Sequence, residues 1–176
     1  MENYLVITAL GKDKPGIVDK LTETVANCSC NVVDSRMTVL GGEFAVILMA
    51  AGKWNELTKL EDALQALAEP LELTITCKRT EPNEMAENLM PYSVEVISID
   101  HPGIVYELAH FFSSRNINIQ ELNTTRYAAA HTGTPMFALH ITANIPAKTR
   151  VASLRDEFLE FCEAQNMDAT IEPMKP

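Results

Sequence analysis

The chain carries one hexapeptide twice, as Asp13-Lys14-Pro15-Gly16-Ile17-Val18 and again as Asp100-His101-Pro102-Gly103-Ile104-Val105. Five of the six positions are identical, and proline followed by glycine is a turn signal that marks the passage from one element to the next. An internal repeat is the sequence signature of duplicated structure. In a chain of 176 residues it indicates two small domains of the same kind.

The repeat extends beyond the hexapeptide on both sides. Ahead of the second copy, apolar and polar residues alternate from Tyr92 to Val96, which is the period of a strand with one buried face. After each copy, apolar residues recur at the spacing of an amphipathic helix. The matched apolar positions are Leu5 and Tyr92, Ile7 and Val94, Ala9 and Val96 in the strands, and Ile17 and Ile104, Val18 and Val105, Leu21 and Leu108, Val25 and Phe112 in the helices.

The remainder of each half follows one pattern of two strands, a helix and a last strand. The second and third strands are joined by Gly41-Gly42 in the first half and by the longer segment 128–135 in the second. The matched segments are the strand openings Asn31-Val32 and Asn118-Ile119, the third strands 44–50 and 136–143, the helices with Leu57, Leu60, Leu64, Leu67 and Val151, Leu154, Phe158, Phe161, and the last strands 71–78 and 169–172.

Each half therefore reads β-α-β-β-α-β, which is the α+β, ferredoxin-like arrangement. In this arrangement a four-stranded antiparallel sheet carries two helices on one face. Residues 80–91 are polar and contain Pro82 and Pro91 near their ends, so they are predicted to form a linker. The predicted domains are residues 1–79 and residues 92–176.

Composition narrows the functional classes. The formal net charge is -10 and the 14 basic residues are scattered, which disfavours direct binding to nucleic acid or anionic lipid, because both draw affinity from clustered Lys and Arg. No apolar run approaches the length of a membrane helix and the N-terminus lacks the pattern of a secretory signal. These features predict a cytoplasmic protein without direct nucleic-acid or membrane contact.

No motif points to catalysis, a metal or a cofactor. The four histidines stand outside any known nucleophile or zinc pattern, and Cys28 and Cys30 form a lone C-x-C. We therefore predict no catalytic residue, no metal site and no cofactor. A small enzyme is the minor alternative, because ferredoxin-like folds host many activities.

The repeated Asp-x-Pro-Gly has two interpretations. Proline suits the first turn of a helix, and glycine leaves the backbone uncovered, so the free N–H groups could receive a carboxylate while Asp13 or Asp100 accepts an ammonium. A free amino acid presents both groups. Alternatively, the segment is only a favourable strand-to-helix turn, and Asn31 and Asn118 are turn residues that tolerate unusual backbone angles. Both interpretations remain open from the sequence.

These hexapeptides, each followed by Asn31-Val32 or Asn118-Ile119, resemble the ACT domain over nearly the whole chain. The resemblance implies association of modules side by side through their sheets, and amino-acid binding between the loop before the first helix and the start of the second strand. Some amino-acid-binding members of that family have a polar ring residue where this chain has Gly11 and Ser98. Some also have Asn where this chain has Asp13 and Asp100. The implied ligand-binding residues are Asp13, Lys14, Gly16, Ile17, Asn31 and Val32 in the first half, and Asp100, His101, Gly103, Ile104, Asn118 and Ile119 in the second.

A stand-alone pair of such modules resembles transcriptional regulators that act indirectly. The resemblance implies a homo-oligomer that binds a DNA-binding activator of the glycine cleavage operon, with glycine or a related small amino acid as the signal. The alternative is a protein-only interaction module with no metabolite ligand.

Overall fold

The computed structural model describes residues 3–81 and 88–174. The chain divides into two compact units, Met1–Asn83 and Glu84–Pro176, and each is described by itself. The first unit contains β1 (Asn3–Lys12), α1 (Ile17–Asn27), β2 (Asn31–Leu40), β3 (Glu43–Gly52), α2 (Trp54–Leu71) and β4 (Leu73–Thr80). The second contains β5 (Leu89–Ile99), α3 (Ile104–Ser113), β6 (Asn118–Ala128), β7 (Pro135–Pro146), α4 (Val151–Ala164) and β8 (Asp168–Pro173).

Each unit has one antiparallel sheet, with strand order β2-β3-β1-β4 in the first and β6-β7-β5-β8 in the second. The ferredoxin-like fold predicted from the sequence is therefore confirmed in both halves. β1 and β5 lie in the middle of their sheets, whereas β2 and β6 form one edge. The loops that follow the central strands lead directly into the first helix of each unit.

The core of each unit lies between the sheet and its two helices. In the first unit, Leu5 and Ile7 of β1 pack with Leu60 and Leu64 of α2. In the second unit aromatic residues take much of this space, and Phe158 of α4 is fully buried with its ring centroid 5.1 Å from that of Phe111. Burial of alternate strand residues and of one helix stripe explains why the apolar periods predicted these elements.

Two strands have other bounds in the structure than the sequence pattern indicated. The last strand of the first unit begins at Leu73, and Leu71 ends α2, because Glu72 takes a left-handed conformation (φ 54°) that terminates the helix. β5 begins at Leu89, inside the predicted linker, because Leu89 and Met90 pair with residues of β7. Residues 82–87 of that linker lie outside the described residues. No described helix is long and apolar enough to cross a membrane.

Candidate ligand-binding loops

The first loop (residues 13–16) and the second loop (residues 100–103) each end in a glycine that caps a helix. Gly16 has φ 92° and Gly103 has φ 97°, so both are left-handed, a conformation that glycine adopts without the penalty of a Cβ atom. The carbonyl oxygen of Gly16 accepts a hydrogen bond from the Lys20 N–H at 3.0 Å. The prediction that proline occupies the first helical turn was wrong, because Pro15 precedes the cap and Ile17 begins the helix.

Neither helix start is capped by a side chain. The N–H groups of the first turn therefore have no side-chain acceptor, and the helix dipole gives that end a partial positive charge. Ile17 and Ile104 are buried in their cores, at 3% and 2% exposure. Their side chains face away from solvent, so these residues can offer a ligand only backbone atoms.

Both loops are tied to the neighbouring hairpin by the same backbone contact. The N–H of Asp13 donates to the carbonyl oxygen of Gly42 at 3.0 Å, and the N–H of Asp100 donates to that of Pro135 at 3.0 Å. Since the β2–β3 and β6–β7 hairpins hold these carbonyl groups, the loop carboxylates stand beside the hairpin ends.

The charges around the two loops differ. Asp13 is exposed, and within residues 3–81 and 88–174 its carboxylate takes part in no ion pair, whereas Lys14 pairs with Glu72. In the second loop, Asp100 is only 20% exposed and its Oδ2 lies 2.6 Å from Nε of Arg126. Arg126 carries no local sequence signal and was absent from the predicted site.

His101 replaces Lys14 in the second loop and makes a contact of its own. Its Nδ1 lies 3.1 Å from the carbonyl oxygen of Pro102. The side chain is exposed, so it lines the loop from the solvent side.

The predicted partners on the second strands lie far from these loops within one unit. Asn31 pairs with Ala51 at one end of the sheet, whereas Leu40 pairs with Glu43 at the other end, beside the first loop. A ten-residue strand spans about 30 Å. The second unit repeats this, since Asn118 pairs with Asn144 and Ala128 with Pro135. One unit alone therefore does not bring the predicted residues together.

Asn31 and Asn118 do not serve as turn residues. They are the first residues of β2 and β6, and the left-handed positions before these strands are Ser29 (φ 59°) and Asn116 (φ 56°). Asn31, Val32 and Asn118 are exposed, while Ile119 is partly buried against the core. Three of these four side chains are thus accessible to another molecule.

The cysteines and acidic groups show no arrangement for metal binding in the described part of the chain. No group of three or more His, Cys, Asp or Glu side chains lies close enough to hold an ion there. The four cysteines are free thiols. Burial raises the pKa of the Cys30 and Cys77 thiols, and that of Cys162 to about 12, which keeps them protonated at neutral pH.

Comparison with known proteins supplies an independent line of information. A family model for the ACT domain matches residues 3–78. The glycine cleavage system transcriptional repressor of Escherichia coli is 34% identical over 170 residues, which cover 97% of this chain and 90% of the relative. A crystal structure provisionally assigned to the same repressor superposes with a TM-score of 0.76 at 27% identity, covering 100% of this chain and 99% of that one. A protein from Galdieria sulphuraria, 24% identical, has the same fold with a TM-score of 0.81 and covers 99% and 100% of the two chains.

Proposed function

Since this chain belongs to the ACT-domain family, we propose that it is an amino-acid-responsive regulator of transcription that acts through a protein partner. The Escherichia coli relative, of which this chain covers 90%, is named as a transcriptional repressor. The observation that carries the proposal is the duplicated loop, in which an aspartate precedes a helix start that no side chain caps.

The loop offers complementary groups for both ends of an amino acid. The free N–H groups at the start of α1 and the helix dipole attract a carboxylate. The Asp13 carboxylate, exposed and outside any described ion pair, can accept an ammonium group. The glycine cap leaves open space beside the backbone, since a Cβ atom at Gly16 would meet no atom within 4 Å.

The proposed site is completed by a second module. β2 lies at the edge of its sheet and every residue of it is exposed, and an edge strand can pair with another strand. Antiparallel pairing of two such edges would bring the Asn31 end of one strand next to the loop end of the other. The geometry of the single unit supports this, because it separates the two predicted halves of the site. We therefore propose edge-to-edge association, as a homo-oligomer.

Contact with DNA is proposed to be indirect. The net charge of -10 opposes the phosphate backbone, and each described helix is separated from the next by strands rather than by the short turn of a helix-turn-helix. In this proposal, which extends the resemblance to indirect regulators, the partner is a DNA-binding activator of the glycine cleavage operon and the signal is glycine or a related small amino acid.

Thermal unfolding of the full chain against a panel of amino acids tests the proposal. A ligand at about 100 times its dissociation constant should raise the unfolding free energy by roughly 2.7 kcal/mol. A selective shift with glycine or another small amino acid is expected. No shift with any amino acid would favour a protein-only interaction module instead.

The indirect mechanism has a separate test. A mobility-shift assay with glycine cleavage operator DNA should show no complex with the protein alone, and a change in the complex that the activator forms. Tight binding of the isolated protein that weakens steeply with salt would contradict the mechanism.

A further inference from the structure

We infer that each chain takes its amino acid at the first loop, and that Arg126 closes the second loop to ligands with an ammonium group. This inference rests on the proposed function and names which of the duplicated loops performs it. It follows from a difference in charge pairing between two loops whose backbones are alike.

The ammonium acceptor of the second loop is already occupied. Nε of Arg126 lies 2.6 Å from Oδ2 of Asp100, and the carboxylate is 20% exposed. A hydrogen bond between a guanidinium and a carboxylate is among the stronger polar contacts in proteins. The Arg126 side chain is 71% exposed, so an incoming ammonium group would compete with the guanidinium, and the second loop attracts such a group less than a free aspartate would.

The first loop lacks any such guanidinium. Arg126 stands opposite Phe137 in the β6–β7 ladder, and Val39 stands opposite Phe44 in the β2–β3 ladder. The two positions are equivalent, because both phenylalanines lie just after the hairpin turn that holds the loop. Val39 is apolar and 45% exposed, so the edge strand of the first unit presents no cation to Asp13 at this place.

The remaining cation of the first loop is held elsewhere. Lys14 pairs with Glu72 at the start of β4, which directs its ammonium group to that carboxylate. Asp13 stays exposed. The first loop therefore combines a free carboxylate with a helix start that no side chain caps, whereas the second loop retains only the helix start.

The internal duplication supplies reciprocal variants for the test. Isothermal titration calorimetry of the full chain with glycine, and then with each other amino acid, should give one site per chain. Val39→Arg, which introduces the guanidinium at the first loop, should weaken binding by about tenfold or more. Arg126→Val, which frees Asp100, should add a second site. Thr38→Arg adds the same charge to the same edge strand one residue earlier, on the opposite face of the sheet, so it reports any loss caused by charge on the edge alone and should weaken binding less than Val39→Arg.

The outcomes separate this inference from the function on which it rests. Two equal sites in the unaltered chain, or one site that survives Val39→Arg and disappears in Arg126→Val, would overturn the assignment and leave amino-acid sensing intact. Absence of binding by every amino acid to all four proteins would overturn the proposed function and the assignment together. The three altered side chains are on exposed edge strands, so circular dichroism should show all four proteins folded.

Discussion

The backbone N–H of Asp13 donates a hydrogen bond to the carbonyl oxygen of Gly42 at 3.0 Å, which ties the first loop to the β2–β3 turn. That turn consists of two left-handed residues, Gly41 (φ 61°) and Gly42 (φ 86°), as expected for a two-residue hairpin. The position of the Asp13 carboxylate therefore depends on a turn that only small residues form easily.

Gly42→Val should strain this turn and weaken amino-acid binding as well as folding. A β-branched residue at positive φ costs about 1–3 kcal/mol, measurable by urea unfolding, and calorimetry should show reduced affinity because the loop loses its tether. Gly133→Val places the same strain (φ 68°) in the longer hairpin of the second unit. It should lower stability without lowering affinity at the first loop, and an equal loss of affinity in both variants would contradict the tether.

Gly16 and Gly11 should respond to alanine for different reasons. A Cβ atom at Gly16 meets no atom within 4 Å, so Gly16→Ala should cost only the left-handed penalty of about 1–2 kcal/mol. D-alanine, which favours positive φ, should restore stability there. At Gly11 the new Cβ would lie 2.5 Å from the carbonyl oxygen of Glu72, so β4 must shift. D-alanine at Gly16 behaving like L-alanine would show that this backbone is not left-handed.

Alkaline pH should lower the free energy of unfolding because the Cys162 thiol is buried. The pKa of this thiol is raised to about 12 in the fold and is about 8.5 in an unfolded chain, so between these values the unfolded state binds fewer protons. Stability should fall there by up to about 1.4 kcal/mol per pH unit, and should not depend on this thiol at lower pH. Urea unfolding between pH 8 and about 11 should show a shallower decline in Cys162→Ala. An unchanged decline would assign the pH dependence to other groups.

Phe158 should dominate the aromatic core of the second unit. Its ring is fully buried, with centroids 5.1 Å from Phe111 and 5.3 Å from Phe112. Phe158→Ala should cost about 3–5 kcal/mol by leaving a cavity. Phe158→Leu, which places there the residue that the first unit has at Leu64, should cost less than the alanine change. Similar losses from the two variants in urea unfolding would argue against a packed ring at this site.

Association through the open sheet edge should be sensitive to charge at β2. Met37 is 53% exposed on this strand, and Met37→Lys should shift sedimentation velocity towards smaller species, because charges on an edge oppose strand pairing. Ile47→Lys is a matched control, since Ile47 is 51% exposed but lies on β3 inside the sheet. If the two variants sediment alike, the β2 edge is not the contact.

Patterns within single segments of the sequence predicted the strands and helices. They did not predict contacts between residues that are far apart in the chain. The alternation around Val94 and the helical spacing around Leu60 report burial on one face, so the strands and helices were predicted from single segments. The ion pair between Asp100 and Arg126 joins residues in different elements. Its prediction requires the register of β6 against β7, which apolar alternation does not specify.

The start of α1 shows that the sequence alone does not predict which residue caps a helix. Pro15 and Gly16 both favour a turn before a helix, but which of them occupies the cap depends on φ at one residue. The start of β5 also depends on a distant segment, because Leu89 and Met90 become strand residues only when β7 is present to pair with them.

The length of β2 has a consequence for how the response to an amino acid would depend on the protein's own concentration. With Asn31 at one end of β2 and the first loop at the other, the proposed site requires two modules, so ligand occupancy and assembly would be thermodynamically linked. If the two modules belong to different chains, dilution of the protein separates them and weakens amino-acid binding. The protein concentration then sets the amino-acid concentration at which the response begins.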